Sequence, residues 1–334
     1  MPLSPSCRTC PLVPVYWDTI NRTTGTKSPS GKWQPDKTGG VIRRLILATG
    51  LAITVLMSAW MTAAADVPFS LGTAHRNLTY CNSQQLDLYI PRTAPTRPLP
   101  IVLYVHGGGF TSGDKSDLNP TFLNALASAG YAVVSVNYRL APASHFPTQI
   151  EDVKCAIRYL RAKASHYRLN GSQIFAFGTS VGGQLVALAA LTGSHSRFDV
   201  GAYPTEPSNV AAVVDMFGPA NLTQAASGFS PSGIQDAFGR NDHRDLVLAS
   251  PVHYVVPHAP PILLVQGADD TKVLKSQSVE FYRDLKSAGD QAQLLLVQNM
   301  GHMFMQVGSK PLDPSMRKIA HEIVSFFNTE RNPS

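Results

Sequence analysis

Surplus charge is nearly absent from the larger part of this chain once it is divided in two. The 334 residues carry 28 Lys and Arg against 22 Asp and Glu, net +6. Residues 1–65 hold seven of the cations (Arg8, Arg22, Lys27, Lys32, Lys37, Arg43, Arg44) and two acids (Asp18, Asp36), net +5. That leaves 21 against 20, net +1, for residues 66–334. A nucleic-acid surface needs clustered cations to neutralise phosphates, so no nucleic-acid partner is expected. Cysteine is also scarce, with four in all. Cys7 and Cys10 form a C-x-x-C with no second pair, which argues against a zinc site. Cys81 and Cys155 remain, and the sequence leaves open whether they join in an oxidising compartment. Elsewhere there is no metal-ligand cluster, phosphate-cradling loop, dinucleotide fingerprint or internal repeat, so neither a metal nor an organic cofactor is expected.

The leader divides again. Residues 1–40 are rich in Pro, Thr, Ser and Gly and show no apolar periodicity, the composition of a segment with no core to bury. They read as untranslated or disordered, with translation starting at Val41. From there Arg43-Arg44 precede an uncharged stretch of 18 residues, 45–62, and Ala63-Ala64-Ala65 follow. A basic segment, an apolar run and an A-x-A site describe a secretory signal peptide cleaved near Ala65. The run also reaches the lower limit of a membrane span, so an uncleaved anchor over 45–62 is the alternative. Either way the expected folded domain, 66–334, lies outside the cytoplasm.

Within that domain strands and helices alternate. Apolar runs predict strands at 86–90, 101–105, 131–138, 174–177, 210–216, 261–265 and 293–297. Helical patterns fall at 121–128, 148–167, 182–191, 276–288 and 314–328. The expected fold class is α/β, a mainly parallel central sheet with helices on both faces and its chemistry at the strands' carboxyl ends.

Two of those strand ends carry unusual loops. Gly178-Thr179-Ser180-Val181-Gly182 lies between the 174–177 strand and a helix, the setting of a nucleophile elbow, where a sharp turn lifts a serine hydroxyl clear of the sheet. The 101–105 strand runs into His106-Gly107-Gly108-Gly109-Phe110. Three successive glycines are poor in any regular element but let main-chain N–H groups approach a ligand closely. Gly108, Gly109 and Val181 would form an oxyanion hole, each donor worth roughly 3–4 kcal/mol to an acyl-transfer transition state. His106 reads as a brace for the loop.

A serine needs a base, and the base needs a carboxylate. Elbows of this kind take them downstream, in the order Ser, Asp, His. Gly267-Ala268-Asp269-Asp270-Thr271-Lys272-Val273 follows the 261–265 strand, and spacing favours Asp270 over Asp269. His302, after Gly301 on the loop that ends the 293–297 strand, is the expected base. The other histidines lack a strand-end setting.

These motifs carry a resemblance. Together with Ser112-Gly113-Asp114-Lys115, Tyr138-Arg139-Leu140-Ala141-Pro142, Phe146-Pro147 and Ile150-Glu151-Asp152-Val153-Lys154, they make residues 85–328 resemble an α/β-hydrolase of the esterase/lipase branch related to hormone-sensitive lipase. More closely, the chain is similar to the bacterial bifunctional feruloyl/acetyl esterases (the BD-FAE type). The resemblance implies a serine carboxylesterase with the triad Ser180, Asp270 and His302. Val181 departs from the family's usual alanine, adding bulk beside the acyl pocket while keeping the N–H. Phe110, Met303 and Phe304 are the expected lining of that pocket.

Only about 40 residues separate Asp66 from His106, too few for the helical cap of the lipase relatives. The main insertion, 221–249, is long enough for a short flap. An open cleft suits a small acyl group on a larger alcohol, such as an acetylated or feruloylated sugar; the expected partner is a small-molecule or carbohydrate ester. A secreted lipase, an amidase, formamidase or peptidase using the same triad, and a non-catalytic binding protein are the rival readings.

Overall fold

The computed structural model describes residues 71–92, 97–194 and 196–332. The leader, the signal or anchor segment and His195 lie outside the described residues.

Eight strands form one sheet in the order β1-β2-β4-β3-β5-β6-β7-β8. They are β1 Leu71–Thr79, β2 Gln85–Pro91, β3 Leu99–Val105, β4 Ala132–Val136, β5 Leu169–Thr179, β6 Val213–Met216, β7 Ile262–Gly267 and β8 Ala292–Val297. The β1–β2 and β2–β4 pairs are antiparallel, and the rest of the sheet is parallel. β3 is buried at every position, as expected of a strand covered on both faces.

Strand alternation divides the core in two. Ile101, Leu103 and Val105 face one layer with α2 (Thr148–Ala162), α3 (Val181–Thr192) and α6 (Lys275–Ser287). Val102 and Tyr104 face the other, with α1 (Pro120–Ser128) and α7 (Met316–Arg331). Phe281 and Leu285 of α6 and Ile319, Ile323 and Phe327 of α7 supply the buried stripes, each such side chain contributing about 1.5–3 kcal/mol when taken from water. This is the α/β-hydrolase architecture expected from the sequence.

Three departures have physical causes. β1 went unread because it is an edge strand whose side chains are mostly exposed, so burial imposes little pattern. α2 stops at Ala162 rather than at residue 167 because the chain turns back through Arg168, whose φ is 57°, to enter β5. The insertion 221–249 is more ordered than expected, with a 3₁₀ turn Ala225–Ser227 and the helices α4 (Pro231–Phe238) and α5 (His243–Ala249). Ser230 caps α4 by accepting from the Gly233 N–H at 3.1 Å, and Asp242 caps α5 by accepting from the Arg244 N–H at 2.9 Å.

Cys81 and Cys155 are joined in a disulfide, with a Cα–Cα distance of 6.2 Å. It ties the turn between β1 and β2 to the buried face of α2, closing the option that the sequence left open. On the same helix and the loop before it, Arg139 clamps the Asp152 carboxylate through Nε and Nη2, each at 2.8 Å. The Tyr138-Arg139 and Glu151-Asp152 motifs are thus one structural joint. Among the described residues no helix is long and apolar enough to cross a membrane.

Candidate active site

Sheet register aligns four loops. Val105 pairs with Gly178, Thr179 with Met216, Met216 with Val265, and Gly267 with Val297. The chain therefore leaves β3, β5, β7 and β8 at one edge, and each exit carries one element of the expected site.

Ser180 sits between β5 and α3 with φ 54° and ψ −123°, a conformation that a non-glycine residue adopts only when its surroundings over-determine it. Its N–H donates to the Met216 carbonyl at 2.8 Å, pinning the elbow to β6. Gly182 is required by close approach, since a Cβ there would lie 2.0 Å from the Val105 carbonyl oxygen. The elbow's second glycine thus lets α3 begin directly above β3.

His302 bridges the other two residues. Its Nε2 is 3.0 Å from Ser180 Oγ and its Nδ1 is 2.8 Å from Asp270 Oδ2. Asp270 is buried, with Oδ1 accepting from the Lys272 and Val273 N–H groups at 2.8 and 3.1 Å. Gln266 Nε2 donates to its Oδ2 at 3.3 Å. Three N–H donors thus fix the carboxylate toward the imidazole. Asp269 is exposed, and its main-chain N–H holds the Met300 carbonyl at 3.0 Å. Of the two neighbouring acids, Asp270 is the one brought to His302.

The glycine loop closes the other side. Gly108 has φ 108° and Gly109 has φ 62°, values that favour glycine. Tyr138 Oη donates to the His106 and Gly107 carbonyls at 3.0 and 3.2 Å. His106 is fully buried, stacked on the Tyr138 ring at 4.2 Å, with Nδ1 2.7 Å from the Gly107 carbonyl oxygen. Burial holds its pKa below the ordinary value and so favours the neutral imidazole.

A cavity of about 330 Å³ opens over Ser180. Gly108, Gly109, Val181 and His302 line it, and Met303 stands at its rim, 48% exposed. Phe110 and Phe304, expected to line it too, do not. Phe110 is fully buried among Phe146, Phe229 and Phe238, at ring distances of 6.5, 5.8 and 5.6 Å. Phe304 packs on Phe217 at 5.0 Å and on Phe122 at 5.4 Å. Both stand beside a motif, but the Phe110 ring follows the larger apolar burial available in the core and Phe304 lies half-buried against it.

The residues that do complete the wall are Ser227, Gly228 and Phe229 from the flap, with Lys272 and Val273 from the acid loop. No motif marked the flap residues. Phe217 was also missed; its ring meets the His302 imidazole edge-on at 5.1 Å and holds it in place. Among the described residues no group of three or more His, Cys, Asp or Glu is arranged to hold a metal ion.

A nucleophile, base and acid in hydrogen-bonded series beside main-chain donors is an arrangement for acyl transfer. The family model described as BD-FAE matches residues 86–285. The esterase LipC of Mycobacterium tuberculosis is 28% identical over 257 residues, 74% of this chain, and this chain spans only 62% of LipC. An ethyl acetate hydrolase of Pseudomonas putida is 29% identical over 262 residues, covering 75% of this chain and 81% of the relative. Among solved structures, a truncated carbohydrate esterase from gut microbiota superposes with a TM-score of 0.68 at 27% identity, over 79% of this chain and 98% of that one.

Proposed function

Since this chain belongs to the BD-FAE family, we propose that it is a serine carboxylesterase acting on short-acyl esters, including acetyl or feruloyl groups carried by carbohydrates. The observation that carries this reading is the unbroken series from Ser180 Oγ through His302 to Asp270, at 3.0 and 2.8 Å. The esterase names of its relatives agree with it.

Ser180 Oγ attacks the ester carbonyl carbon as its proton passes to His302 Nε2. The carbonyl electron pair moves onto oxygen, and the N–H groups of Gly108, Gly109 and Val181 stabilise the resulting oxyanion. Asp270 holds the Nδ1–H and favours the imidazolium. Collapse expels the alcohol, which takes the proton from Nε2. Water then attacks the acyl-enzyme, gives its proton to Nε2, and frees the acid while Ser180 recovers its hydrogen.

The short-acyl preference rests on volume. The cavity of about 330 Å³ stands at the lower end of the range for small-molecule sites, and the flap at Ser227, Gly228 and Phe229 closes one side. Export completes the reading. The Cys81–Cys155 disulfide suits an oxidising compartment, in keeping with a signal peptide cleaved near Ala65 or an anchor over 45–62.

The test is a p-nitrophenyl ester series from acetyl to palmitoyl, with acetylated xylan and methyl ferulate alongside. A steep fall beyond butyryl with release from the carbohydrate substrates is expected, and Ser180→Ala abolishes the acyl-enzyme burst while leaving the fold intact. Full activity on palmitoyl esters would make the enzyme a lipase, and an undiminished burst in Ser180→Ala would remove the triad from the mechanism.

A further inference from the structure

The wall of the proposed esterase site includes one lysine, Lys272. Of the residues lining the cavity, Lys272 alone carries a formal charge beside the titratable His302. Its ammonium makes no ion pair or hydrogen bond among the described residues. Of the nearest acids in sequence, Asp270 is committed to His302 and two main-chain N–H groups, and Asp269 lies outside the cavity lining. The Lys272 backbone is also placed with precision on both sides. Its N–H donates to Asp270 Oδ1 at 2.8 Å, and its carbonyl lies so close to Gly228 of the flap that a Cβ there would sit 2.5 Å away. The flexible stem thus starts from a point fixed relative to the triad, in a wall otherwise made of Gly, Ser, Val, Phe, Met and the triad's own His302.

We propose that Lys272 selects esters bearing a carboxylate, so that the preferred substrate of this site is an anionic ester rather than a neutral one. The inference rests on the esterase reading and narrows its substrate class. An apolar wall weakens water's screening, so a cation at its rim attracts a substrate anion more strongly than an open-surface lysine does. Because Lys272 is exposed, the gain is that of a partly solvated pair, about fivefold in kcat/KM. Attraction at the rim also makes the preference salt-dependent. The carboxylate has two sources, the acyl group itself or the alcohol, the latter including a uronate-bearing saccharide.

Two matched ester pairs separate these sources in the full-length protein. p-Nitrophenyl hemisuccinate against p-nitrophenyl butyrate places the charge on the acyl side. 4-Acetoxybenzoate against its methyl ester places it on the alcohol. The readout is the ratio of kcat/KM for the anionic ester to that for its neutral partner, within each protein. A general loss transmitted through the Asp270 loop cancels in that ratio. In the unmodified enzyme one pair is expected to show an anionic preference that shrinks as NaCl rises from 20 to 500 mM. Lys272→Gln should lower that ratio about fivefold, and Lys272→Glu should lower it further and invert the salt response. Hydrolysis of the neutral esters with the same ratio in all three proteins, for both pairs, overturns the inference and leaves the esterase reading standing. Failure to hydrolyse any of the four esters overturns the esterase reading itself.

Discussion

Asp215 offers the most demanding test of this structure. It lies at the end of β6, fully buried beneath the first turn of α3, and a Cβ on Gly183 would come within 2.2 Å of its Oδ1. Oδ1 accepts from the Gly218 N–H at 2.9 Å, while Oδ2 has no partner. Burial pushes its pKa from the ordinary 3.8 up to about 7, against the lowering effect of the Gly218 bond. Below pH 3.8 the carboxyl is neutral in the folded and unfolded chains alike, and its contribution to stability is fully present. Between 3.8 and about 7 only the unfolded chain ionises, so stability falls by about 1.4 kcal/mol for each pH unit. Above about 7 the folded state holds a buried charge, and the accumulated loss is about 4 kcal/mol.

Asp215→Asn removes this titration. The amide oxygen can keep the Gly218 bond, while the amide N–H₂ takes the unpartnered place at a pH-independent cost of about 1–3 kcal/mol. The variant should therefore be the less stable protein at pH 4 and the more stable at pH 8, the difference moving by about 4 kcal/mol across that range. Urea unfolding midpoints for both proteins at pH 4, 6 and 8, with the disulfide intact, measure the difference. Every other titrating group cancels to the extent that it is uncoupled from this site. A difference that stays constant from pH 4 to 8 would refute the argument, because it would mean that the carboxyl does not change its ionisation when buried.

Two further outcomes follow from the geometry. Asp270→Asn keeps an acceptor for the Lys272 and Val273 N–H groups but no longer holds an imidazolium, so kcat on p-nitrophenyl acetate should fall about 10³–10⁴-fold; a fall below tenfold would assign the orienting role elsewhere. The Cys81–Cys155 disulfide spans a sequence separation of 74, so Cys81→Ala with Cys155→Ala should cost about 4 kcal/mol through the freed unfolded chain; urea curves that coincide for the two proteins would show that the bond does not form in solution.

The site was legible where chemistry needs an uncommon backbone. The elbow and the glycine loop can be read because Ser180 at φ 54° and Gly108 at φ 108° demand small neighbours and particular residues. Asp270 was separable from Asp269 only by spacing. Burial makes the same distinction physically, since one carboxylate is enclosed by N–H donors and the other faces solvent. Aromatic residues were the weak point. A phenylalanine beside a motif carries no mark of which way its ring turns, so Phe110 and Phe304 read as pocket, whereas Phe110 is core and Phe304 is half-buried against it. The flap helices did leave signals in Ser230-Pro231 and Asp242, a serine cap with proline at the first helical position and an aspartate cap, but the surrounding Gly and Ser residues obscured them.

The displaced aromatics point to how this site divides its labour. Phe110 follows the glycine loop directly and packs on Phe229 and Phe238 of the flap at 5.8 and 5.6 Å. Such pairs contribute about 0.5–1.5 kcal/mol each beyond the area they bury. One ring therefore fixes the flap to the loop that carries the proposed oxyanion donors, and Phe229 passes that placement on to the cavity wall. The reacting groups are held by sheet register and main-chain hydrogen bonds, which tolerate little change. The wall formed by Ser227, Gly228 and Phe229 hangs from an aromatic cluster that can be repacked without moving a strand. On the proposed reading, substrate choice can thus drift through the flap and Lys272 while the triad stays where the strands put it, which is why family-level motifs locate the chemistry so much better than they name the ester.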